Sequence, residues 1–150
     1  MRFVIQRVSE ASVKIAGTIY SEIQHGFLVL VGIEESDNKE DADWLCNKLI
    51  SLRIFSGADD KMNLSLQDIN GDVLLVSQFT LFASTKKGNR PSFIRSAKPE
   101  LAVPLYEYCI TQLSGLLNKP VRTGQFGADM KVSLVNDGPV TILMDSKNRE

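Results

Sequence analysis

The pattern of apolar and polar positions changes period several times along the chain. In "MRFVIQRV", residues 1–8, Phe3, Ile5 and Arg7 alternate with Arg2, Val4, Gln6 and Val8, which predicts a strand. "ASVKIAGTIYSEI" at 11–23 reads as a hairpin turning near Ala16 and Gly17. "GFLVLVGI" at 26–33 is apolar almost without a break, as a strand buried on both faces would be. Ala42, Leu45, Leu49 and Leu52 then recur at helical spacing behind Ser36 or Asp37 as a cap, with acids in the first turn, so a helix is expected to about Arg53. After a polar loop at 56–71, "DVLLVSQFTLF" at 72–82 predicts a second buried strand.

A second helix is expected from Ser96–Pro99, with Ser96 as cap, Pro99 at an early position and Pro104 in its opening turn; it continues through Leu101, Leu105, Tyr108, Cys109, Leu113 and Leu116 to "NKP". Strands are expected around Val121, at 130–136 and at 140–145, with Met130, Val132 and Leu134 on one face and Lys131, Ser133 and Val135 on the other. Strands outnumber helices, which points to an α/β fold: mixed β-sheets stacked with the two main helices on one face. Two helices cannot cover every strand face, and a second copy of the chain would supply the missing cover.

The 150 residues fit one domain, 1–150, large enough to bury about 70% of the surface of the unfolded chain. No repeat or linker divides it. No segment approaches the ~20 apolar residues of a membrane span, and the N-terminus lacks a signal-peptide pattern, so a cytoplasmic protein is expected. Cys46 and Cys109 form neither a CxxC pair nor a metal knuckle and read as small core hydrophobes. His25, the single histidine, precedes Gly26 at a turn with no triad pattern nearby and reads as structural or surface. HExxH, EF-hand, GxGxxG and P-loop patterns are absent, so no metal or cofactor is implied.

Net charge is −1, which makes no global case for nucleic acid. Its distribution is uneven. "EESDNKEDAD" at 34–43 holds six acids and reads as a solvated first helical turn, whereas "TKKGNRPSFIRSAKP" at 85–99 holds Lys86, Lys87, Arg90, Arg95 and Lys98 with no acid. That basic loop is either a solvated surface or a phosphate-contacting arm. The strand at 72–82 carries polar Ser77, Gln78 and Thr80. A polar group buried without a partner costs about 1–3 kcal/mol, so these side chains either bond locally or face a ligand.

Ser77-Gln78-Phe79-Thr80 and Asn136-Asp137-Gly138-Pro139-Val140-Thr141 together resemble the D-aminoacyl-tRNA deacylase family, with its SQ-F-T and N-x-G-P-x-T motifs. The likeness extends through "MRFVIQRV", "KKGNRPSF" at 86–93 and "GQFGADM" at 124–130, essentially the whole chain, and neither motif departs from the pattern. The resemblance implies a three-layer α/β/β homodimer that hydrolyses the ester joining a D-amino acid to the terminal ribose of tRNA, with its active sites at the subunit interface. It implies a cis Gly138-Pro139 peptide entering the partner's pocket, with Asn136 and Thr141 supporting the motif and Arg7 bracing it. Ser77 and Met130 would join Gly138 and Pro139 in binding substrate, and Gln78, Phe79 and Thr80 would carry the catalytic step.

On this picture an L side chain collides with the Gly-Pro backbone and a D side chain does not, so achiral glycyl-tRNA should be accepted to some degree. Thr80 is the obvious nucleophile by residue type but has no evident base to activate it. Attack by water, assisted by a vicinal ribose hydroxyl, is the favoured expectation, with the Phe79 and Thr80 amides stabilising the oxyanion. Lys86, Lys87, Arg90 and Arg95 would contact tRNA phosphates. The alternative is a non-catalytic RNA-binding or assembly module of the same fold; a general small-molecule esterase fits least, for want of a triad.

Overall fold

Strand β1 (Arg2–Ile15) continues without interruption into the segment expected to begin a separate hairpin, and turns through Ala16 and Gly17 into β2 (Thr18–Ile23). Both turn residues have positive φ, 50° and 79°, the backbone that a two-residue hairpin loop demands. β3 (Gly26–Gly32), α1 (Lys39–Ser51) and a small β4–β5 hairpin (Phe55–Ser56 and Met62–Leu64) follow. Then come β6 (Asp72–Ser77), a 3-10 turn (Phe79–Phe82), α2 (Pro99–Leu117), β7 (Arg122–Thr123) and β8 (Lys131–Asp145). This computed structural model describes residues 1–150.

Six strands form one mixed sheet in the order β2-β1-β3-β6-β7, with β8 on β1. The β1 strand runs antiparallel to all its partners, pairing with β3 over residues 2–8, with β2 over 11–15, and with β8 along nearly its whole length. β3–β6 and β6–β7 are parallel. The sheet therefore folds over on itself, and its two halves supply the two β layers.

Burial of both faces of β3 and β6 follows from that curl. Phe27, Val29, Val31, Val73 and Leu75 pack with Leu45, Leu49, Leu105 and Leu113 of the helices, while the alternate residues Leu28, Leu74 and Val76 pack with Val8, Val13 and Ile23 in a second core beneath Met130, Val132 and Leu134. Phe27 stacks on Phe55 with ring centroids 4.9 Å apart. A fully buried side chain of this size contributes about 1.5–3 kcal/mol. Cys46 and Cys109 are free thiols within the helix-side core. No helix is long and apolar enough to cross a membrane.

The start of α1 departs from expectation. Asn38, rather than Ser36 or Asp37, is the cap: its side chain accepts from the Glu40 N–H at 2.8 Å, and Asp41 accepts from the Asn38 N–H at 2.9 Å, closing a capping box. Nor is the acidic stretch uniformly solvated. Asp37 and Asp41 are buried: Asp37 receives the Met1 ammonium and the Glu34 N–H, and Lys147 reaches Asp41 at 3.1 Å. Each acid is paired with a cation, the buried Met1 ammonium for Asp37 and the exposed Lys147 for Asp41, which is why both tolerate burial.

α2, by contrast, starts without a side-chain cap. Pro99 takes its first position as expected, whereas Pro104 falls in its second turn and Ser96 is employed elsewhere.

Candidate active site

β6 ends at Ser77, earlier than the apolar run predicts. Gln78 donates its N–H to the Val31 carbonyl at 2.7 Å, and the chain then winds into the 3-10 turn through Leu81 N–H to Gln78 O (3.3 Å) and Ala83 N–H to Thr80 O (3.0 Å). The turn brings a polar pair together: Gln78 Nε2 donates to Thr80 Oγ1, whereas an extended strand would put the two residues on one face about 6.6 Å apart. A Cβ at Gly32 would lie 2.8 Å from Leu81 Cβ, so that glycine leaves room for the turn. Phe82 points into the core and Phe79 outward, 56% exposed. The N–H groups of Phe79 and Thr80 begin the turn and have no carbonyl inside it to bond.

Beside this turn lies a cavity of about 330 Å³, mostly apolar, bounded by Val31, Val76, Ser77, Gln78 and Phe79 on one side and by Phe126–Met130 on the other. Ser77, Gln78, Phe79 and Met130 therefore all line one cavity, whereas Thr80 sits one residue beyond the lining. A Cβ on Gly124 would collide with Met130 Sδ, so the absence of a side chain there lets the thioether lie against the wall. Phe126, Ala128 and Asp129 also line the cavity, and the only sequence signal for them is their membership of "GQFGADM". Asp129 bonds Lys131 at 3.1 Å in solvent. His25 is remote from the cavity lining, edge-on to Phe55 with centroids 5.1 Å apart.

The second motif is an outward swelling of β8. Val8 pairs with Asn136 and Gln6 with Thr141, so four residues, 137–140, stand opposite Arg7 alone. Asn136 and Thr141 close the base of the loop through Asn136 Nδ2 to Thr141 Oγ1 (2.9 Å), and Asn136 Oδ1 accepts from Val140 N–H at 2.8 Å. Arg7 donates from Nε to the Asp137 carbonyl (2.8 Å) and from a terminal nitrogen to the Ile54 carbonyl (2.6 Å), tying the loop to the segment after α1. The Gly138-Pro139 peptide is cis, both residues are exposed, and neither borders the cavity of its own chain.

The basic loop is pinned at its base by two hydrogen bonds between Ser84 and Ser92 (2.8 and 2.9 Å) and by Ser96 Oγ to the Phe79 carbonyl (2.8 Å). Lys86, Lys87 and Arg90 are exposed and make no ion pair. Arg95 differs: it bonds Glu34 at 3.0 Å and lies over the Phe82 ring.

Residues 4–145 match the family model described as D-Tyr-tRNA(Tyr) deacylase. Proteins named D-aminoacyl-tRNA deacylase from Flavobacterium psychrophilum and Akkermansia muciniphila are 62% and 61% identical over 150 residues, covering all of both chains. Among solved structures, one named c-Myc DNA Unwinding Element Binding Protein superposes with TM-score 0.92 at 37% identity, covering 97% of this chain and 98% of its own. A second, described as a "probable eukaryotic D-amino acid tRNA deacylase", shares the fold at TM-score 0.83 and 15% identity, covering 95% of this chain and 97% of its own. With the match spanning nearly every residue and both motifs standing at the sites described above, the chain belongs to the D-aminoacyl-tRNA deacylase family.

Proposed function

We propose that this protein hydrolyses the ester of D-aminoacyl-tRNA, releasing the D-amino acid and free tRNA, and that it works as a homodimer. The observation carrying the proposal is the polar 3-10 turn at the rim of an apolar cavity sized for an aminoacyl group, in a chain about 60% identical to named deacylases. Water adds to the ester carbonyl, the bond from acyl carbon to ribose oxygen breaks, and the departing oxygen takes the proton. The free N–H groups of Phe79 and Thr80 are suited to the oxyanion that forms. Thr80 is a poor nucleophile because its hydroxyl meets the Gln78 amide rather than a base. Positioning by Gln78 and Thr80, with a vicinal ribose hydroxyl assisting the water, accounts for the residues present. Substrate ending in 2′-deoxyribose should then turn over far more slowly.

Two features support the dimer. β8 is a 15-residue strand paired on one side only, with Val135 and Leu143 exposed, and an uncovered edge of that length invites pairing with another chain. The Gly138-Pro139 loop does not border the candidate-site cavity of its own chain, so a second copy is the natural recipient. There its main-chain carbonyls would accept from the substrate α-ammonium, and its backbone would stand where an L side chain must go. Selectivity by exclusion leaves glycyl-tRNA, with no side chain to exclude, as a substrate. Lys86, Lys87 and Arg90 would contact phosphates, with Arg95 giving less because Glu34 already engages it.

Comparing matched D- and L-tyrosyl-tRNA is the deciding test: cleavage of the D form alone is expected, and equal survival of both overturns the proposal. A non-catalytic nucleic-acid module is the second reading, favoured by the name of the 37% identical structure, which describes a DNA-element-binding protein. It predicts binding with no deacylation.

A further inference from the structure

Three large apolar side chains stand in solvent beside the cavity, within or next to the most basic segment of the chain. Phe79 is 56% exposed, Phe93 37% and Ile94 90%. Phe79 and Phe93 meet edge to face, with centroids 5.1 Å apart and planes at 72°. Phe79 also borders the cavity, so the apolar strip begins at its rim and leads outward. The backbone beneath is fixed at several points: Ser96 Oγ holds the Phe79 carbonyl at 2.8 Å, Ser96 N–H bonds the Phe93 carbonyl at 3.0 Å, and Ser84 and Ser92 exchange two bonds. A clamped loop holds its rings in place, so they lose little freedom when a flat partner settles on them.

Exposed aromatics are costly to leave in water, and an apolar strip at the base of the loop that carries the exposed Lys86, Lys87 and Arg90 has the composition of a single-stranded nucleic-acid platform: flat apolar faces for bases and cations for phosphates.

We propose that Phe93 and Ile94, continuing from Phe79, form a stacking platform for the unpaired nucleotides immediately preceding the esterified 3′-terminal residue of the substrate RNA. This rests on the deacylase reading and adds a base-stacking contribution to the phosphate contacts described there. Phosphate contacts alone would treat any acceptor end of equal charge alike. Stacking makes recognition depend on the presence of bases while remaining tolerant of their identity, because every base has a π face. The strip also fixes the path of the strand, delivering its end to the cavity by way of Phe79.

The test uses an RNA hairpin with an unpaired 3′ end terminating in CCA and a second hairpin of equal charge in which two of the unpaired positions preceding the end are abasic, both without an amino acid. The wild-type protein should bind the first about 5- to 100-fold more tightly. Phe93→Ala and Ile94→Ser should each bring that ratio towards one while leaving the dependence of log Kd on log salt unchanged. Lys86→Glu with Lys87→Glu should do the reverse, flattening the salt dependence and keeping the ratio. Ile94→Ser guards against misfolding, since a side chain 90% exposed supports no packing.

The inference is overturned if the wild type does not distinguish the two hairpins, or if Ile94→Ser preserves the full ratio. It is equally overturned if Ile94→Ser converts a dimer to monomers in sedimentation, which would make a second copy the occupant of the strip. Because neither probe carries an ester, a protein that clears D-tyrosyl-tRNA but ignores the missing bases defeats the platform alone.

Discussion

Replacing Gly138 by alanine adds one methyl group at the most crowded point of the β8 loop. The residue has φ +145°, in a region that side-chain-bearing residues seldom enter, and the added Cβ would lie 2.7 Å from Val140 Cγ2, 2.9 Å from Val140 N and 3.1 Å from a terminal nitrogen of Arg7. The valine methyl can rotate aside. Val140 N cannot, because its hydrogen holds Asn136 at 2.8 Å. Backbone held in so sparse a region costs about 1–3 kcal/mol for a residue with a side chain. With the Val140 N contact below what a Cβ tolerates, the loop must move, at a cost of roughly that much stability, and Arg7 loses its geometry on the Asp137 carbonyl. The main-chain carbonyls proposed to read the α-ammonium move with it, and a displacement near 1 Å lowers turnover by about 100-fold. Gly17→Ala is the control: φ is +79° and nothing lies within 4 Å, so it carries a backbone cost without the collision. Urea unfolding and D-tyrosyl-tRNA deacylation, measured on both variants, should show comparable stability losses with activity falling only in Gly138→Ala. If Gly138→Ala kept wild-type kcat/KM and wild-type D/L preference, the loop would have no part in chirality.

Four further outcomes are expected. Asp37→Asn strands the buried Met1 ammonium and should lower unfolding free energy by about 3–5 kcal/mol in urea titration. Gly26→Ala would drive a Cβ into the Asp72 carbonyl oxygen and to 2.7 Å from Asp72 N, both rigid backbone, so a loss above about 4 kcal/mol, visible as a lowered melting temperature by circular dichroism, is predicted. Thr80→Ala should keep D-tyrosyl-tRNA turnover within about tenfold of wild type, whereas loss of about 1,000-fold or more with unchanged binding would restore the nucleophile model. Burial disfavours charge on Asp41 and Asp145, but hydrogen bonds from Ser146, Asn38 and Lys147 to the first and from Arg2 to the second outweigh it, holding both carboxyls below their ordinary value of 3.8. Their folded values are depressed, so the stability they contribute is complete above that value and lost as pH falls through the folded values. The melting temperature should therefore drop below about pH 4, less steeply in Asp41→Asn.

The periodic elements were legible because side-chain patterning and backbone geometry agree there. Leu45 and Leu49 mark a helix face, and Ala16-Gly17 gives the turn its required positive φ. "DVLLVSQFTLF" misled because apolarity continues past Ser77 although the hydrogen bonding changes: Phe82 is buried from a turn rather than a strand, and a hydropathy pattern records burial without recording its geometry. Asp37 and Asp41 look solvated in the sequence because their cations, the Met1 ammonium and Lys147, are distant along the chain. The site was legible as motifs only. That Ser77 and Met130 share a cavity depends on the segment from Met130 into β8 packing over the face of β6, which no local pattern encodes.

The position of Arg7 opposite the swelling in β8 has a consequence for how the N-terminal segment can vary. The β1 strand alternates sides at every residue, so inserting or deleting one residue between Met1 and Arg7 while the outer pairings hold would rotate the guanidinium to the far side of the ribbon. A change ahead of Phe3 would take Phe3 and Ile5 out of the core by the same step. The segment can therefore absorb exchanges of similar side chains but not a change of length, and the spacing from the first strand pairings to Arg7 behaves as a fixed ruler for the loop it supports.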